Sequence, residues 1–384
     1  MHVSLMCTAL LALLLLIPAA RCLPTMDEVD VLAAVGLTNR LVYNVRNKSF
    51  GNKKCNIFNA AIRREWGSLS KHERRKYIDA VLCMLQKPSL SDPTEVPGAR
   101  NRFDDFLAVH INQTLTIHGT GNFLTWHRYF TWAYEQALRN ECGYDGYQPY
   151  WAWNKYASDP INSPIFDGSE YSMSGNGEYV KHNGTPATPY TTLPPGPGGG
   201  CVVTGPFKDM TVNLGPVAPT LDGVVPQQGN GLNYNPRCLR RDISVAASQG
   251  WTKTSDVTSL IRDNSDIYWF QTIMQGQFEK GFLGVHTGGH FTIGGDPGGD
   301  LYSSPGDPAF YLHHAQIDRV FWIWQNQDPR NRLDVVSGTV TINNMPPSRN
   351  ATLDDEVNLG ILAPAMPLRD LLDTMGGPFC YIYI

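Results

Sequence analysis

The sequence predicts a fold in which α-helices alternate with long, turn-rich loops and a few short strands. Apolar residues recur every three or four positions in segments around residues 103–134 and 310–324, which is typical of helices that bury one face. Glycine and proline contribute 36 and 27 of the 384 residues, so loops must take a large share of the chain. The same segments also carry an unusual set of histidines.

Composition excludes several classes of protein. The chain has 31 basic and 35 acidic residues, a net charge of −4, so it lacks the positive surface that nucleic-acid binding requires. Hydrophobic residues make up 42% and charged residues only 17%, which indicates a folded protein rather than a disordered one. The length allows one large domain or two smaller ones.

Residues 1–22 are predicted to be a secretory signal peptide. The apolar run Leu5–Ile17 is too short to cross a bilayer, and the small residues Ala19 and Ala20 follow it as a cleavage site would require. No Lys or Arg precedes the run, as a signal peptide would usually have, so a buried N-terminal helix stays as the alternative. We therefore expect a secreted, extracellular protein that begins near residue 23 and has no membrane-spanning segment.

Secretion changes how the cysteines are interpreted. Six cysteines follow the signal peptide, an even number, so up to three disulfides are expected in an oxidising compartment, and the sequence does not choose their pairing. No CxxC pair is present, which argues against a thiolate zinc site. The disulfide candidates are Cys55, Cys83, Cys142, Cys201, Cys238 and Cys380. The glycosylation candidates, each in an Asn-x-Ser/Thr sequon, are Asn47, Asn112, Asn183 and Asn350.

Start and stop signals place the main elements in order. Ser70 and Glu73 form a capping-box pattern that predicts the start of a helix. Residues 162–236 are rich in Gly, Pro, Ser, Asn and Thr and predict a long covering loop with short strands at most. A helical pattern returns between residues 256 and 283, and the chain after residue 328 alternates turns with short β-branched runs.

Histidines carry the chemical signal. Seven of the ten fall in two short windows rich in aromatic residues, which scattered surface histidines would not do. The seven are His110, His118, His127, His286, His290, His313 and His314.

Helical phase separates the inward histidines from their neighbours. His127 follows Phe123 by four positions, and His314 follows Phe310 by four, so each lies in a buried stripe. Asp307 as N-cap and the proline after it start the second of these helices. His313 is rotated about 100° from His314, which favours a position beside the site rather than in it.

Six inward histidines in two sets of three predict a metal centre. Burying six imidazoles requires a partner for each, and a metal ion supplies one. Ca²⁺ and Mg²⁺ prefer oxygen ligands, di-iron bundles are rich in glutamate and structural zinc prefers thiolates, so imidazole alone indicates copper or zinc. A catalytic zinc site with three histidines stays open, but two such sets favour a pair of copper ions that binds O2.

The residues around these histidines resemble a known family. The two strings are similar to the copper signatures of the type 3 copper proteins, which comprise tyrosinases, catechol oxidases and hemocyanins, and the end of the chain resembles the tyrosine motif that closes their catalytic domain. The strings are His118-(x)8-His127-Arg128-Tyr129-Phe130-(x)4-Glu135, His286-(x)3-His290-(x)16-Asp307-Pro308-Ala309-Phe310-(x)2-His313-His314-(x)3-Asp318-Arg319, and Tyr381-x-Tyr383. The greatest likeness is to secreted short fungal polyphenol oxidases of the catechol oxidase type.

This resemblance implies a mainly α-helical single domain over residues 23–384, with a four-helix-bundle core that holds a dicopper centre and no C-terminal shielding domain. It implies two copper ions per chain, with O2 as co-substrate and small phenols as substrates, and the sequence does not give the oligomeric state. The implied activity is oxidation of o-diphenols (catechols) to o-quinones while O2 is reduced to water. The implied ligands are His110, His118 and His127 for the first copper, CuA, and His286, His290 and His314 for the second, CuB.

Three further residues are predicted to surround the ligands. His313 is predicted to lie beside the ligands rather than among them, because of its helical phase. Glu135 and Asp318 either orient ligand imidazoles as hydrogen-bond acceptors or form structural ion pairs with a nearby arginine, and the sequence leaves both roles open.

Departures from the family pattern bear on specificity. Tyrosinases that hydroxylate monophenols well often carry Asn directly after the first CuB histidine and Glu about nine residues upstream; Thr287 and Gln277 stand there instead, which implies weak monophenol hydroxylation at most. The two glycines Gly288 and Gly289 should weaken their helix. The predicted substrate rim comprises Thr287, Phe291, Leu301 and Gln277.

Other functions share this pattern. An oxidase of o-aminophenols or of secondary-metabolite phenols would carry the same motifs. A hemocyanin-like O2 carrier would share all six ligands, and a dizinc hydrolase would use similar histidines.

Overall fold

The computed structural model of this protein describes residues 26–46 and 55–384, and most of its regular structure is helical. The predicted signal peptide, residues 1–22, and the sequon at Asn47 lie outside the described residues. Within the described part, no helix has the length and apolar character needed to cross a membrane. The helices in chain order are α1 (Glu28–Arg46), α2 (Lys71–Gln86), α3 (Arg102–Ile117), α4 (Phe123–Cys142), α5 (Trp153–Tyr156), α6 (Val245–Trp251), α7 (Thr254–Asp263), α8 (Ile267–Gln275), α9 (Gly284–Ile293), α10 (Ala309–Gln327) and α11 (Pro329–Arg332).

Short strands pair in twos around this helical body. Strand β1 runs parallel to β10, with Ile62 opposite Ile382, so the last residues of the chain lie beside the start of the domain. The other pairs, β2 with β5, β3 with β4, β6 with β7, and β8 with β9, are antiparallel. The strands are β1 (Ala61–Arg63), β2 (Gly177–Tyr179), β3 (Thr185–Thr188), β4 (Thr191–Leu193), β5 (Gly199–Val202), β6 (Thr211–Val212), β7 (Arg237–Cys238), β8 (Glu356–Val357), β9 (Met366–Pro367) and β10 (Tyr381–Tyr383).

Helices α3, α4, α9 and α10 form the core that carries the histidines. Aromatic rings fill the space between them: Tyr134 of α4 stacks on Tyr311 of α10 with centroids 3.5 Å apart, and Phe106 of α3 contacts Phe130 of α4 edge to face at 5.6 Å. Such rings bury large apolar areas and fix their neighbours in orientation. The predicted mainly α-helical fold with a helix-bundle core and a few short strands is confirmed.

Local signals in the sequence explain several helix ends. The predicted capping box is present: the Ser70 hydroxyl accepts from the Glu73 backbone N–H, and the Glu73 carboxylate accepts from the Ser70 N–H at 2.8 Å. Asp307 accepts from the Ala309 N–H at 2.8 Å, and α10 begins at Ala309, one residue after the predicted Pro308.

The long loop and the helical pattern after it are refined by the structure. Residues 162–236 form loops and short strands, as predicted. The helical pattern predicted between residues 256 and 283 divides into α7 and α8, because Asp266 caps a new helix with its side chain. Helix α6 was not predicted; it is only seven residues long and has no apolar repeat.

The double glycine does not interrupt α9, which runs unbroken through Gly288 and Gly289. A Cβ on Gly288 would lie 2.7 Å from the Cβ of Trp251, and one on Gly289 would lie 2.3 Å from the ring of His313. The helical preference lost at these glycines, about 1 kcal/mol each, is therefore offset by close packing that no larger residue allows.

All six predicted cysteines are paired. The disulfides are Cys55–Cys380, Cys83–Cys142 and Cys201–Cys238. The first joins the segment before β1 to the segment before β10 and reinforces their parallel pairing. The second joins the ends of α2 and α4, and the third joins β5 to β7 within the covering loops.

Candidate metal centre

The structure gathers the predicted histidines into two adjacent groups. In each group the possible ligand atoms all lie within 4.8 Å of one another. The groups touch, because the rings of His127 and His314 stack with centroids 4.5 Å apart and those of His118 and His286 lie 6.0 Å apart. The first group is His110, His118 and His127, and the second is His286, His290, His313 and His314.

Backbone carbonyls orient the first group. The Nδ1 atoms of His118 and His127 lie 2.9 and 2.8 Å from the carbonyl oxygens four residues earlier, on Thr114 and Phe123. Since a carbonyl oxygen only accepts, each Nδ1 carries the proton and each Nε2 keeps a bare lone pair. His110 makes the same contact across the core, with the Tyr302 carbonyl oxygen at 2.7 Å.

The second group comes from two helices. His286 and His290 lie on α9, and His314 lies on α10 under the ring of Phe310, with centroids 4.1 Å apart. The Nε2 atoms of His290 and His314 are 3.1 Å apart. Because His313 belongs to the same cluster, proximity alone does not decide whether His313 or His314 is a ligand.

Several ring nitrogens are buried without a hydrogen-bond partner among residues 26–46 and 55–384. They include Nε2 of His110 and of His127, and both ring nitrogens of His286. A buried polar atom without a partner is costly, and lone pairs aimed at one point are what a metal ion satisfies. The two groups therefore fit metal ions held by imidazole.

Burial keeps these imidazoles neutral. It lowers the pKa of His118 to about 4 and, with the charge of His118 as a smaller cause, that of His290 to about 3. For the other members of both groups burial is again the main cause, and the pKa falls well below its ordinary value. Neutral imidazole is the form that binds metal, so the site is ready for a cation at neutral pH.

We expect the metal-free protein to lose stability as the pH falls from 6.5 towards 4. In that range the unfolded chain binds protons that the folded chain excludes. The free energy of unfolding is therefore highest above pH 6.5 and falls as the pH drops below that value. His118 alone, with its pKa lowered to about 4, accounts for about 2 kcal/mol at pH 5. Urea denaturation of the chelator-treated protein measures the effect, and His118→Asn should reduce the slope. A free energy of unfolding that stays level between pH 7 and 5 would contradict the neutral, buried state of the cluster.

Asp318 accepts hydrogen bonds from arginines and tyrosines, and Glu135 accepts from an arginine and two glutamines; within the described part of the chain, no hydrogen bond joins either carboxylate to a ligand imidazole. Asp318 accepts from Arg128 and from the hydroxyls of Tyr381 and Tyr383, at 2.6 Å each. The sequence left two roles open for Glu135 and Asp318, and their contacts are those of the ion-pair alternative. Backbone carbonyls take the orienting role.

Arg63 joins these two carboxylates in one buried network. It donates to Glu135 at 3.0 Å, to Asp318 at 3.4 Å and to the Tyr383 hydroxyl at 3.0 Å. All of these side chains are buried. The network ties β1, α4 and α10 to the last strand of the domain.

The predicted rim residues have different surroundings. The Thr287 hydroxyl donates to the Gln275 carbonyl at 2.7 Å, so it is not free. Gln277 precedes a single 3₁₀ turn, and its side-chain oxygen accepts from Lys280 at 3.2 Å. Leu301 is 42% exposed and can line an entrance.

Phe291 differs from the prediction of an open rim position. It is only 7% exposed and belongs to a small apolar cluster with Leu193, Ala247 and Leu283. The physical reason is the hairpin of β3 and β4, which brings Leu193 against α9.

Sequence reasoning missed Trp153, whose indole Nε1–H donates to His313 Nδ1 at 3.0 Å. Helix α5 is too short to show a periodic pattern, and the two residues are 160 positions apart, so no local signal identifies the pair. The carbonyl partners of His118 and His127 were easier to predict from the sequence, since each lies four residues earlier in the same helical run.

Comparison with known proteins agrees with this geometry. The family profile described as the common central domain of tyrosinase matches residues 100–327, which include all seven clustered histidines. Tyrosinase P of Aspergillus terreus is 42% identical over 330 residues, 84% of this chain and 91% of that protein. N-acetyl-6-hydroxytryptophan oxidase of Emericella nidulans is 39% identical over 348 residues, 86% of this chain and 94% of that protein.

A solved structure shows the same fold. A variant of the polyphenol oxidase from Thermothelomyces thermophila superposes with a TM-score of 0.87 at 43% identity, covering 94% of this chain and 99% of that one. The extent of both matches, together with the paired histidine groups, leads to one conclusion. The chain belongs to the tyrosinase family of type 3 copper proteins.

Proposed function

We propose that this protein is a secreted dicopper oxidase that oxidises o-diphenols to o-quinones and reduces O2 to water. The observation that carries the proposal is the pair of adjacent, buried histidine groups with bare ring nitrogens. Imidazole ligands suit both copper and zinc. We prefer copper because the solved relative is described as a polyphenol oxidase.

The protein's own residues would bind, orient and shield the two ions. His110, His118 and His127 would hold one copper, and His286, His290 and His314 the other. When bound, the pair would supply one-electron redox chemistry at two centres, which suits a reaction between O2 and two diphenols. The carbonyls behind the first three rings fix their tautomers, and stacked aromatic rings exclude water from the ligand side.

The environment of Thr287 and Gln277 supports diphenols over monophenols as substrates. Hydroxylation of a monophenol needs a group that accepts the phenol proton. The Thr287 hydroxyl is already engaged with a carbonyl, and the Gln277 amide is not a base at neutral pH. We infer that monophenols are poor substrates.

A second candidate is an oxidase of o-aminophenols or of a phenolic secondary metabolite. The relative named for N-acetyl-6-hydroxytryptophan supports it, because that substrate is a phenol carried on a larger molecule. The same metal centre would serve either reaction.

Oxygen consumption tests the proposal. Catechol should be consumed fastest, and tyrosine more slowly by at least about tenfold, a difference in barrier of about 1.4 kcal/mol. The chelator-treated protein is the control and should be inactive until copper is restored. Faster consumption with o-aminophenol than with catechol would favour the second candidate. Reversible uptake of O2 without turnover of any phenol would indicate a carrier and contradict the proposal.

Secretion is proposed on the predicted signal peptide and is supported by the three disulfides, which form in oxidising compartments. The side chains of Asn112, Asn183 and Asn350 are exposed, as glycosylation would require. Asn112 lies within α3, whereas the other two lie in loops. Glycosidase treatment of secreted protein should lower its mass.

A further inference from the structure

We infer that Trp153 and Gly289 are positioning residues for His313. Trp153 holds the imidazole in one tautomer, which keeps it from binding metal. Gly289 leaves the space in which the ring packs against the second histidine group. The inference rests on the proposed function only in treating that group as metal ligands. Trp153 lies outside the histidine motifs, and Gly289 is one of the three positions between His286 and His290.

The tautomer follows from one hydrogen bond. An indole N–H can only donate, so Nδ1 of His313, 3.0 Å away, must present its lone pair. A neutral imidazole with a bare Nδ1 carries its proton on Nε2. A protonated nitrogen has no lone pair for a metal ion, so neither nitrogen of His313 is available as a ligand while the Trp153 contact persists.

Histidines of the first group have the opposite arrangement. His118 and His127 place the proton on Nδ1, against a carbonyl, and leave Nε2 bare. In the first group a carbonyl acceptor leaves Nε2 free for a metal ion, whereas the indole donor at His313 leaves neither ring nitrogen free. Because His313 is excluded in this way, His314 is left as the ligand from α10, in agreement with its helical phase.

Gly289 leaves the space that the His313 ring occupies. A Cβ at residue 289 would lie 2.3 Å from Cε1 and 2.6 Å from Nδ1 of His313, so any other residue would displace the ring. In the space provided, His313 lies parallel to His286, with centroids 5.8 Å apart, and meets His290 edge-on at 4.5 Å. His313, Trp153 and the face of Gly289 are completely or nearly completely buried, so the packing has no solvent gap to relax into.

Selective ¹⁵N labelling of histidine tests the tautomer directly. The chain is measured as purified and reduced, so that any copper is diamagnetic Cu(I), and the signals of His313 are identified by their loss in His313→Gln. Protonated and unprotonated ring nitrogens give well-separated ¹⁵N shifts. We expect His313 with the proton on Nε2 and His118 with the proton on Nδ1. A proton on Nδ1 of His313 would overturn the inference, whether or not copper is present.

A rescue experiment tests the consequence for metal binding. His314→Ala should bind about one copper per chain, since one group lacks a ligand. The double variant His314→Ala with Trp153→Phe lacks the indole donor, so His313 can carry its proton on Nδ1 and present a bare Nε2. Its copper content should rise to about two ions per chain. Adding Trp151→Phe instead is the matched control, because Trp151 is equally buried, lies 6.3 Å from His313 and makes no hydrogen bond through its indole.

The two double variants should therefore differ. Equal copper content in both, or two coppers already bound in the His314→Ala protein, would overturn the inference. Absence of copper from the unmodified chain would instead contradict the proposed function. If a double variant does not fold, the ¹⁵N measurement on the unmodified chain still decides the tautomer.

Discussion

Replacing His314 with alanine should lower the copper content from two ions per chain to about one and abolish the oxidation of catechol. His314 projects from α10 into the space shared by both groups, 4.5 Å from the ring of His127 and 5.3 Å from that of His286. A three-imidazole site that loses one ligand binds its ion much more weakly, and a single remaining copper cannot carry a two-centre reaction.

His313→Ala is the matched control. Its ring is as deeply buried and belongs to the same cluster, so the two substitutions remove the same atoms from adjacent positions. We expect His313→Ala to retain both coppers. Elemental analysis and oxygen consumption on both variants measure the contrast. Loss of one copper from His313→Ala, with two retained in His314→Ala, would reverse the ligand assignment.

Replacing Asp318 with asparagine should lower the free energy of unfolding by at least about 3 kcal/mol, because it leaves buried arginines without their counter-charge. Arg63 and Arg128 both donate to this carboxylate, and none of the three side chains reaches solvent to an appreciable extent. The network also anchors the last strand through two tyrosine hydroxyls. The expected loss is a large fraction of the stability of an ordinary domain.

Chemical denaturation measures this loss. Asp354→Asn is the control, since Asp354 also pairs with an arginine, Arg369, but the carboxylate is 80% exposed. A surface pair of this kind contributes little, so its denaturation midpoint should not change. If Asp318→Asn lowers the copper content of folded protein without lowering its stability, Asp318 acts on the metal ligands after all.

Features that depend on a few consecutive turns of helix could be predicted from the sequence. The faces of α3, α4 and α10 were predictable, because apolar spacing and histidine phase belong to the same few turns of helix. The capping box at Ser70 was predictable for the same reason. The six cysteines could be identified, but their pairing depends on contacts as distant as that between Cys55 and Cys380.

What the sequence could not provide are contacts between remote segments. Arg63, which neutralises Asp318 and Glu135, lies on a strand that carries no motif, so the roles of the two carboxylates stayed ambiguous. Phe291 was expected at an open rim because nothing nearby predicts the hairpin that covers it. The two glycines of α9 looked unfavourable for a helix until the close approach of Trp251 and His313 explained them.

The metal content of the unmodified protein tests the central claim most directly. The purified chain, loaded with Cu²⁺ and freed of excess metal, should contain about two coppers and develop a near-ultraviolet absorption band when H2O2 is added, as expected for two coppers held by the two histidine groups. Retention of about one copper or none, or retention of zinc in its place, with no such band, would contradict the account.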